Sequence, residues 1–235
     1  MKKAIGILGG MGPEASIYMY KTLIEFSIKY FGAKNNEDFP GIILDSVPVP
    51  DFISNTNYKN KAKKILIKRV ERFNQNDLAC LSIACNTAHI LLPELQANSK
   101  IPFVSMIDEI VDSISRTKIK NVGIIATPST IKFKLYQNAL AKIGLSSVIP
   151  AKAQIKTLNT IIRNVIAGKI LKSDTKKLFS IANSLKENGA EAIILGCTEI
   201  PLVFPKKFSL PVFNSVHVLS MALLRKYYKL NTIRP

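Results

Sequence analysis

Residues 4–14, AIGILGGMGPE, carry an apolar stretch into a glycine-rich turn and then into Pro13-Glu14. Ala4–Leu8 shows no polar alternation, which is the pattern of a strand buried on both faces of a parallel sheet. Pro13 suits the first position of a helix, and Glu14 suits its positive end. The stretch therefore reads as strand, tight turn and helix. The same order recurs along the chain. Gly41–Ser46, Leu78–Ala84 and Phe103–Ser105 read as strands in the first part, and Val122–Ala126, Ser147–Ile149, Ala192–Gly196 and Val212–Phe213 in the second. Tyr58–Phe73 and Asp174–Asn188 have helical periodicity, with Gly189 as a stop after the latter. The alternation predicts an α/β fold of mainly parallel sheets flanked by helices, with right-handed crossovers.

A weak internal repeat divides the chain. Gly6-Ile7-Leu8 matches Gly123-Ile124-Ile125, and Cys85-Asn86-Thr87 matches Cys197-Thr198-Glu199. The glycine-to-cysteine separations are 79 (85 minus 6) and 74 (197 minus 123). Each cysteine is followed by a proline and then by a second proline that opens a short apolar strand: Pro93 with Pro102, and Pro205 with Pro211. The repeat predicts two pseudo-symmetric α/β domains with a cleft between them, residues 1–112 plus 216–235 and residues 113–215. The helical stretch Val216–Tyr228 packs back on the first domain in this reading.

The length of 235 residues suits one or two domains, and a chain of this size buries enough surface to fold without a staple. Hydrophobic residues make up 47% and charged residues 21%, which argues against disorder. No apolar run approaches the ~18 residues of a membrane span. Lys2-Lys3 and the following apolar run resemble a signal peptide only superficially, because Gly6, Gly9 and Gly10 interrupt it and no cleavage site follows. A cytoplasmic protein with no membrane partner is expected. Cys80, Cys85 and Cys197 are too few and too irregular for a disulfide framework. With two histidines and no Cys-x-x-Cys pair, no metal site is expected. The net charge of +17 comes from 33 basic and 16 acidic residues. Trp is absent, and the densest basic run, Lys59–Lys64, reads as a solvated helix face, so a lysine-rich surface is favoured over nucleic-acid binding.

Cys85 and Cys197 each end an apolar strand, where open α/β sheets bind ligands. Asn86, Thr87 and Thr198 are capping types with donors, and a thiol at the start of a helix is pushed toward thiolate. Two small buried hydrophobes are the alternative. Cys80, inside the strand run, reads as core. Gly9–Pro13 matches neither the P-loop nor the dinucleotide fingerprint, although its N–H groups could hold a carboxylate. Thr127, Ser129 and Thr130 occupy the equivalent place in the second half. His89 and Glu199 stand close enough in sequence to tune the neighbouring thiols.

On the motifs GILGGMGPEAS (6–16), ACNTAH (84–89), VGIIAT (122–127) and GAEAIILGCTEI (189–200), the chain resembles the aspartate/glutamate racemase family, on its aspartate racemase-like branch. The resemblance implies a cofactor-independent racemase that uses neither pyridoxal phosphate nor a metal. Its active site would lie between two domains, and a homodimer is expected. Cys85 and Cys197 would be the two acid/base residues, one removing the α-proton and the other delivering a proton to the opposite face. Asn86, Thr87, Thr127 and Thr198 would stabilise the developing charge, with Met11 lining the pocket. Arg163 would stand where the family has a lysine, and His89 and Glu199 would support the thiols. Aspartate or glutamate is the leading substrate on this resemblance. Pro50-Asp51-Phe52 and Asn214 depart from the family's Pro-Asp-Arg and Asp, which leaves open another amino acid, a hydantoin or maleate as substrate, or a non-catalytic anion-binding protein.

Overall fold

A computed structural model describes residues 3–52 and 56–232. Its contacts divide the chain into Met1–Met106 with Val216–Pro235, and Ile107–Ser215. The crossing after Met106 comes slightly earlier than the boundary read from sequence. The first unit contains β1 (Ala4–Gly9), α1 (Pro13–Phe31), β2 (Ile42–Ser46), α2 (Lys59–Phe73), β3 (Leu78–Ile83) and α3 (Leu92–Ala97). Helix α4 (Met106–Ser115) then leads into the second unit. That unit holds β4 (Asn121–Ala126), α5 (Pro128–Lys132), α6 (Leu135–Ala141), β5 (Ser146–Val148), α7 (Lys152–Ile166), α8 (Lys172–Glu187), β6 (Ala192–Gly196) and β7 (Val212–Asn214). Helix α9 (Ser215–Thr232) returns the chain to the first unit. No helix among the described residues is long and apolar enough to cross a membrane.

Both sheets are parallel. Their strand orders are β2-β1-β3 and β5-β4-β6-β7. β1, β4 and β6 are central, largely apolar and buried almost throughout; β3, at an edge of its sheet, is as fully buried, whereas the edge strands β2, β5 and β7 are partly exposed. The expected strand at Phe103–Ser105 shrinks to one bridge, Leu81 to Phe103. Leu81 N–H donates to Pro102 O at 3.0 Å, and Val104 N–H donates to Leu81 O at 2.8 Å. Pro102 has no N–H of its own, and α4 opens at Met106, so the ladder extends no further.

The repeat is visible in side-chain packing. Gly6 pairs with Leu81, and Gly123 pairs with Ile193. A Cβ at Gly6 would strike Leu81, with Phe73 of α2 behind it. A Cβ at Gly123 would meet Ile193 Cδ1 at 2.7 Å and Leu185 of α8 at 3.2 Å. In each unit the glycine lets a neighbouring strand residue and a helix close over the central strand. The cores follow from this. Leu66 and Val70 of α2 pack with Leu8, Leu81 and Ile83 on one face of the first sheet. Val216, Leu219, Leu223, Leu224 and Tyr227 of α9 pack with Ile5, Ile7, Met19 and Leu23 in a second cluster. In the second unit, Leu158, Ile161 and Ile162 of α7 and Leu178, Ile181 and Leu185 of α8 pack with Ile125, Ile193 and Leu195. Each such side chain contributes roughly 1.5–3 kcal/mol on burial.

Candidate active site

In the first unit, the loops after the strands are tied together at the carboxyl edge of the sheet. Gly10 adopts φ +86° and lies against the Val47 backbone so closely that no Cβ fits there. Ser16 of α1 accepts the Gly10 N–H at 2.9 Å and donates to Gly12 O at 3.2 Å, which holds the glycine turn against the helix start. The Gly10 N–H, one of the donors expected to hold a carboxylate, is therefore engaged by Ser16. Val47 N–H donates to Gly9 O at 3.0 Å, and Ala84 N–H donates to Leu8 O at 2.8 Å. Met11, Phe52 and Cys85 are buried and belong to one packed cluster.

Cys85 stands two residues past the end of β3, after Ala84, and Asn86 and Thr87 beside it are buried. The helix expected after Cys85 is instead a 3-10 turn, Thr87–Leu91, followed by α3. Pro93 has no N–H for the His89 carbonyl, so Leu92 N–H takes that acceptor three residues away. The same substitution occurs after Cys197. Pro201 cannot donate to the Cys197 carbonyl, and Ile200 N–H does so at 3.2 Å, opening the 3-10 turn Ile200–Leu202. The segment that directly follows each thiol is thus a 3-10 turn and not the first turn of a long α-helix.

His89 is buried with both ring nitrogens bonded. Met106 N–H donates to Nε2 at 2.9 Å, which leaves the proton on Nδ1, and Nδ1–H donates to the Cys85 carbonyl at 2.9 Å. A neutral ring in this tautomer fixes the Cys85 backbone. His89, expected from its spacing to tune the neighbouring thiol, thus meets the Cys85 residue through its backbone carbonyl. His217 hydrogen-bonds the Tyr18 hydroxyl at 2.7 Å and lies against Phe26. Its pKa is lowered by burial, with Glu25 opposing.

In the second unit, Cys197 and Glu199 are both buried, and the Cys197 thiol donates to Glu199 Oε2 at 3.0 Å. The Thr198 hydroxyl donates to the same oxygen at 3.1 Å. The sequence pairing of Glu199 with Cys197 is thus a direct hydrogen bond. Thr127 caps α5: its Oγ1 accepts the Thr130 N–H at 3.0 Å and bonds the Thr130 hydroxyl at 3.0 Å. Arg163 lies on the exposed side of α7, while Ile162 and Val165 are buried. Asn214 ends β7 and is partly buried.

Sequence reasoning did not single out Tyr136. Its fully buried ring lies against Gly196, where a Cβ would come within 2.7 Å of it. Its pKa is raised, first by burial and then by the nearby Cys197, while a hydrogen bond with the Ser215 side chain opposes the shift. The sequence signal was Gly196 itself, a glycine at the end of an otherwise apolar strand. Cys80 is buried in the cluster that contains Ile5, Ile7 and α9, and its thiol is pushed up to about 11 by burial, with Lys226 opposing. No three His, Cys, Asp or Glu side chains gather as a metal site would require, among the described residues.

The register relates the two thiols. Cys85 stands four residues beyond Leu81, the partner of Gly6, and Cys197 stands four beyond Ile193, the partner of Gly123 (85 minus 81, and 197 minus 193). The broad specificity amino-acid racemase RacX of Bacillus subtilis (strain 168) is 25% identical over 224 residues, 95% of this chain and 97% of that protein. The glutamate racemase of Helicobacter pylori (strain P12) is 32% identical over 166 residues, 69% of this chain and 62% of that enzyme. The crystal structure of an aspartate racemase homologue from Pyrococcus horikoshii OT3 matches with a TM-score of 0.80 at 29% identity, over 97% of this chain and 99% of that one. The aspartate racemase of Picrophilus torridus gives a TM-score of 0.80 at 27% identity, over 96% of this chain and 94% of that one. A model of the Asp/Glu/hydantoin racemase family matches residues 8–223, so the chain belongs to that family and is an isomerase of the racemase class.

Proposed function

We propose that this protein interconverts the enantiomers of a free amino acid without a cofactor, with Cys85 and Cys197 as its two acid/base groups. The equivalent register of the two cysteines in the two sheets carries the reading. One thiolate takes the α-proton, leaving the electron pair on the α-carbon and its carboxylate. The other thiol gives a proton to the opposite face. For the other enantiomer the two exchange roles, because one base cannot serve both faces of a fixed carbon. Buried Asn86 and Thr87 supply neutral donors to the developing charge. Glu199 accepts the Cys197 proton and returns it, so that this thiol can enter the cycle in either state. The relatives named above act on aspartate, on glutamate or broadly on amino acids, so aspartate and glutamate are the first substrates to try.

The test follows the α-proton by NMR in deuterated water, with chiral chromatography of the product. The native protein exchanges and inverts its substrate. Cys85→Ala and Cys197→Ala each lower racemisation by at least about a hundredfold, and either can retain one-sided exchange. Full racemisation by Cys85→Ala would overturn the two-thiol assignment. Turnover of a hydantoin by the native protein, with no exchange on any amino acid, would move the chemistry to that substrate.

A further inference from the structure

Tyr136, near the start of α6, is fully buried at the end of β6. Its ring takes the place of a side chain at Gly196. A Cβ there would lie 2.7 Å from Tyr136 Cε2 and 3.2 Å from Cδ2, with Ala126 Cβ at 3.1 Å. Ala126 is the register partner of Gly196, so the ring closes over the carboxyl ends of both central strands of the second sheet. The backbone it covers leads directly into Cys197. The phenol oxygen reaches further, to a hydrogen bond with the Ser215 side chain. Ser215 follows Asn214, whose register partner Leu195 stands two residues before Cys197 (197 minus 195). One helix side chain thus spans the ends of β4, β6 and β7 immediately before the thiol.

A phenylalanine would fill the same space with no polar atom to desolvate. The hydroxyl therefore needs a reason of its own. Burial first, and then charge on the nearby Cys197, raise the Tyr136 pKa, and the Ser215 side chain opposes the rise, as a donor to the phenol oxygen does. With Ser215 donating, the phenol's own proton is directed elsewhere, and a thiolate turns that O–H dipole toward sulfur. The charged group bonded to the Cys197 thiol is Glu199, an acceptor, which while ionised favours S–H over the thiolate. Other elements bring neutral neighbours to this strand end, among them Thr127 after β4, Asn214 at the end of β7, and Ile162 and Val165 of α7. A donor in addition to the Glu199 acceptor lets one sulfur persist in both protonation states, which a two-base reaction asks of each thiol.

We infer that Tyr136 is a positioning residue for Cys197: its ring fixes the Gly196 backbone that leads into the thiol, and its hydroxyl, held by Ser215, stabilises the thiolate. The consequence for catalysis rests on the racemase reading and adds a residue to it.

The first measurement uses no substrate. The ultraviolet absorbance of the thiolate is titrated from about pH 5 to 10, as the difference between each protein and the same protein carrying Cys197→Ala. In Tyr136→Phe, which keeps the ring, the midpoint should rise by about one pH unit, and in Ser215→Ala it should rise by less. Tyr136→Phe should also lower kcat for α-proton exchange about tenfold, with KM within about twofold. A tyrosine that only fills space would lower the urea midpoint and leave the thiolate midpoint where it was. An unchanged or lowered thiolate midpoint in folded Tyr136→Phe would overturn the inference, as would a native protein with no Cys197 thiolate signal across the titration. Should Tyr136→Phe not fold, Ser215→Ala decides: a raised midpoint supports the role, and an unchanged one overturns it. The expected shift in a folded protein that exchanges no amino acid would keep the role of Tyr136 and overturn the racemase reading. An unshifted thiolate in an active racemase would do the reverse.

Discussion

Cys80 and Cys85 lie on one strand run and meet different surroundings. Cys80 packs into the cluster with α9, while Cys85 belongs to the opposite cluster at the strand end. Burial raises the Cys80 thiol from 9.0 to about 11. Below pH 9 the thiol is protonated in both folded and unfolded chains and costs nothing. As pH rises from 9 toward 11 the unfolded chain ionises first, so stability falls, by on the order of 2–3 kcal/mol from this group. Urea midpoints measured from pH 8 to 11 should fall less steeply for Cys80→Ala than for the native protein; parallel curves would contradict the burial argument. Glu199 gives a second residue-scale prediction. Glu199→Gln keeps the shape but removes the carboxylate that accepts the hydrogen bond of the Cys197 thiol. Racemisation should slow about tenfold to a hundredfold, with exchange from one enantiomer affected more than from the other. Equal slowing from both would mean that Glu199 serves the fold and not the proton. Spacing alone brought Glu199 to Cys197. It could not show the second partner of His89, because the N–H of Met106, distant in sequence, decides the tautomer. It passed over Tyr136, because a tyrosine on an amphipathic helix gives no sign of the glycine it will abut.

At the scale of elements, the central strands were legible because they are apolar on both faces, a pattern that needs no partner to be recognised. The segments after the cysteines were less legible. Their capping residues suggested helices, yet both open as 3-10 turns; after Cys197 the cause is Pro201, which lacks the N–H that would close the first α turn on the Cys197 carbonyl. The glycine pair was legible as a repeat, but its cause is packing. Gly6→Ala and Gly123→Ala each drive a methyl into a neighbouring strand side chain and the helix above it. Each should cost about 1–3 kcal/mol, read as a lower urea midpoint with an unchanged slope. A neutral effect at Gly6 alongside a large one at Gly123 would mean that the two halves are built differently.

For the whole molecule, chain order and spatial order disagree. The first unit is made from both ends of the chain, and α9 supplies Val216, Leu219, Leu223, Leu224 and Tyr227 to its core. Five such side chains at roughly 1.5–3 kcal/mol each match the entire stability of an ordinary domain, about 5–15 kcal/mol. A chain ended at Ser215 should show no cooperative unfolding of its first unit by circular dichroism, and a native-like transition there would refute the packing account. The same arrangement bears on synthesis. Tyr227 is translated 121 residues after Met106 (227 minus 106). At about 5–20 residues per second the ribosome needs roughly 6–24 s to cover that span. Throughout that interval Ile5, Ile7, Met19 and Leu23 have been made and their covering helix has not. The contiguous second unit, begun later, is the first whose sequence is complete, and the half that leaves the ribosome first is the last to close, with an apolar face open to chaperones in the meantime.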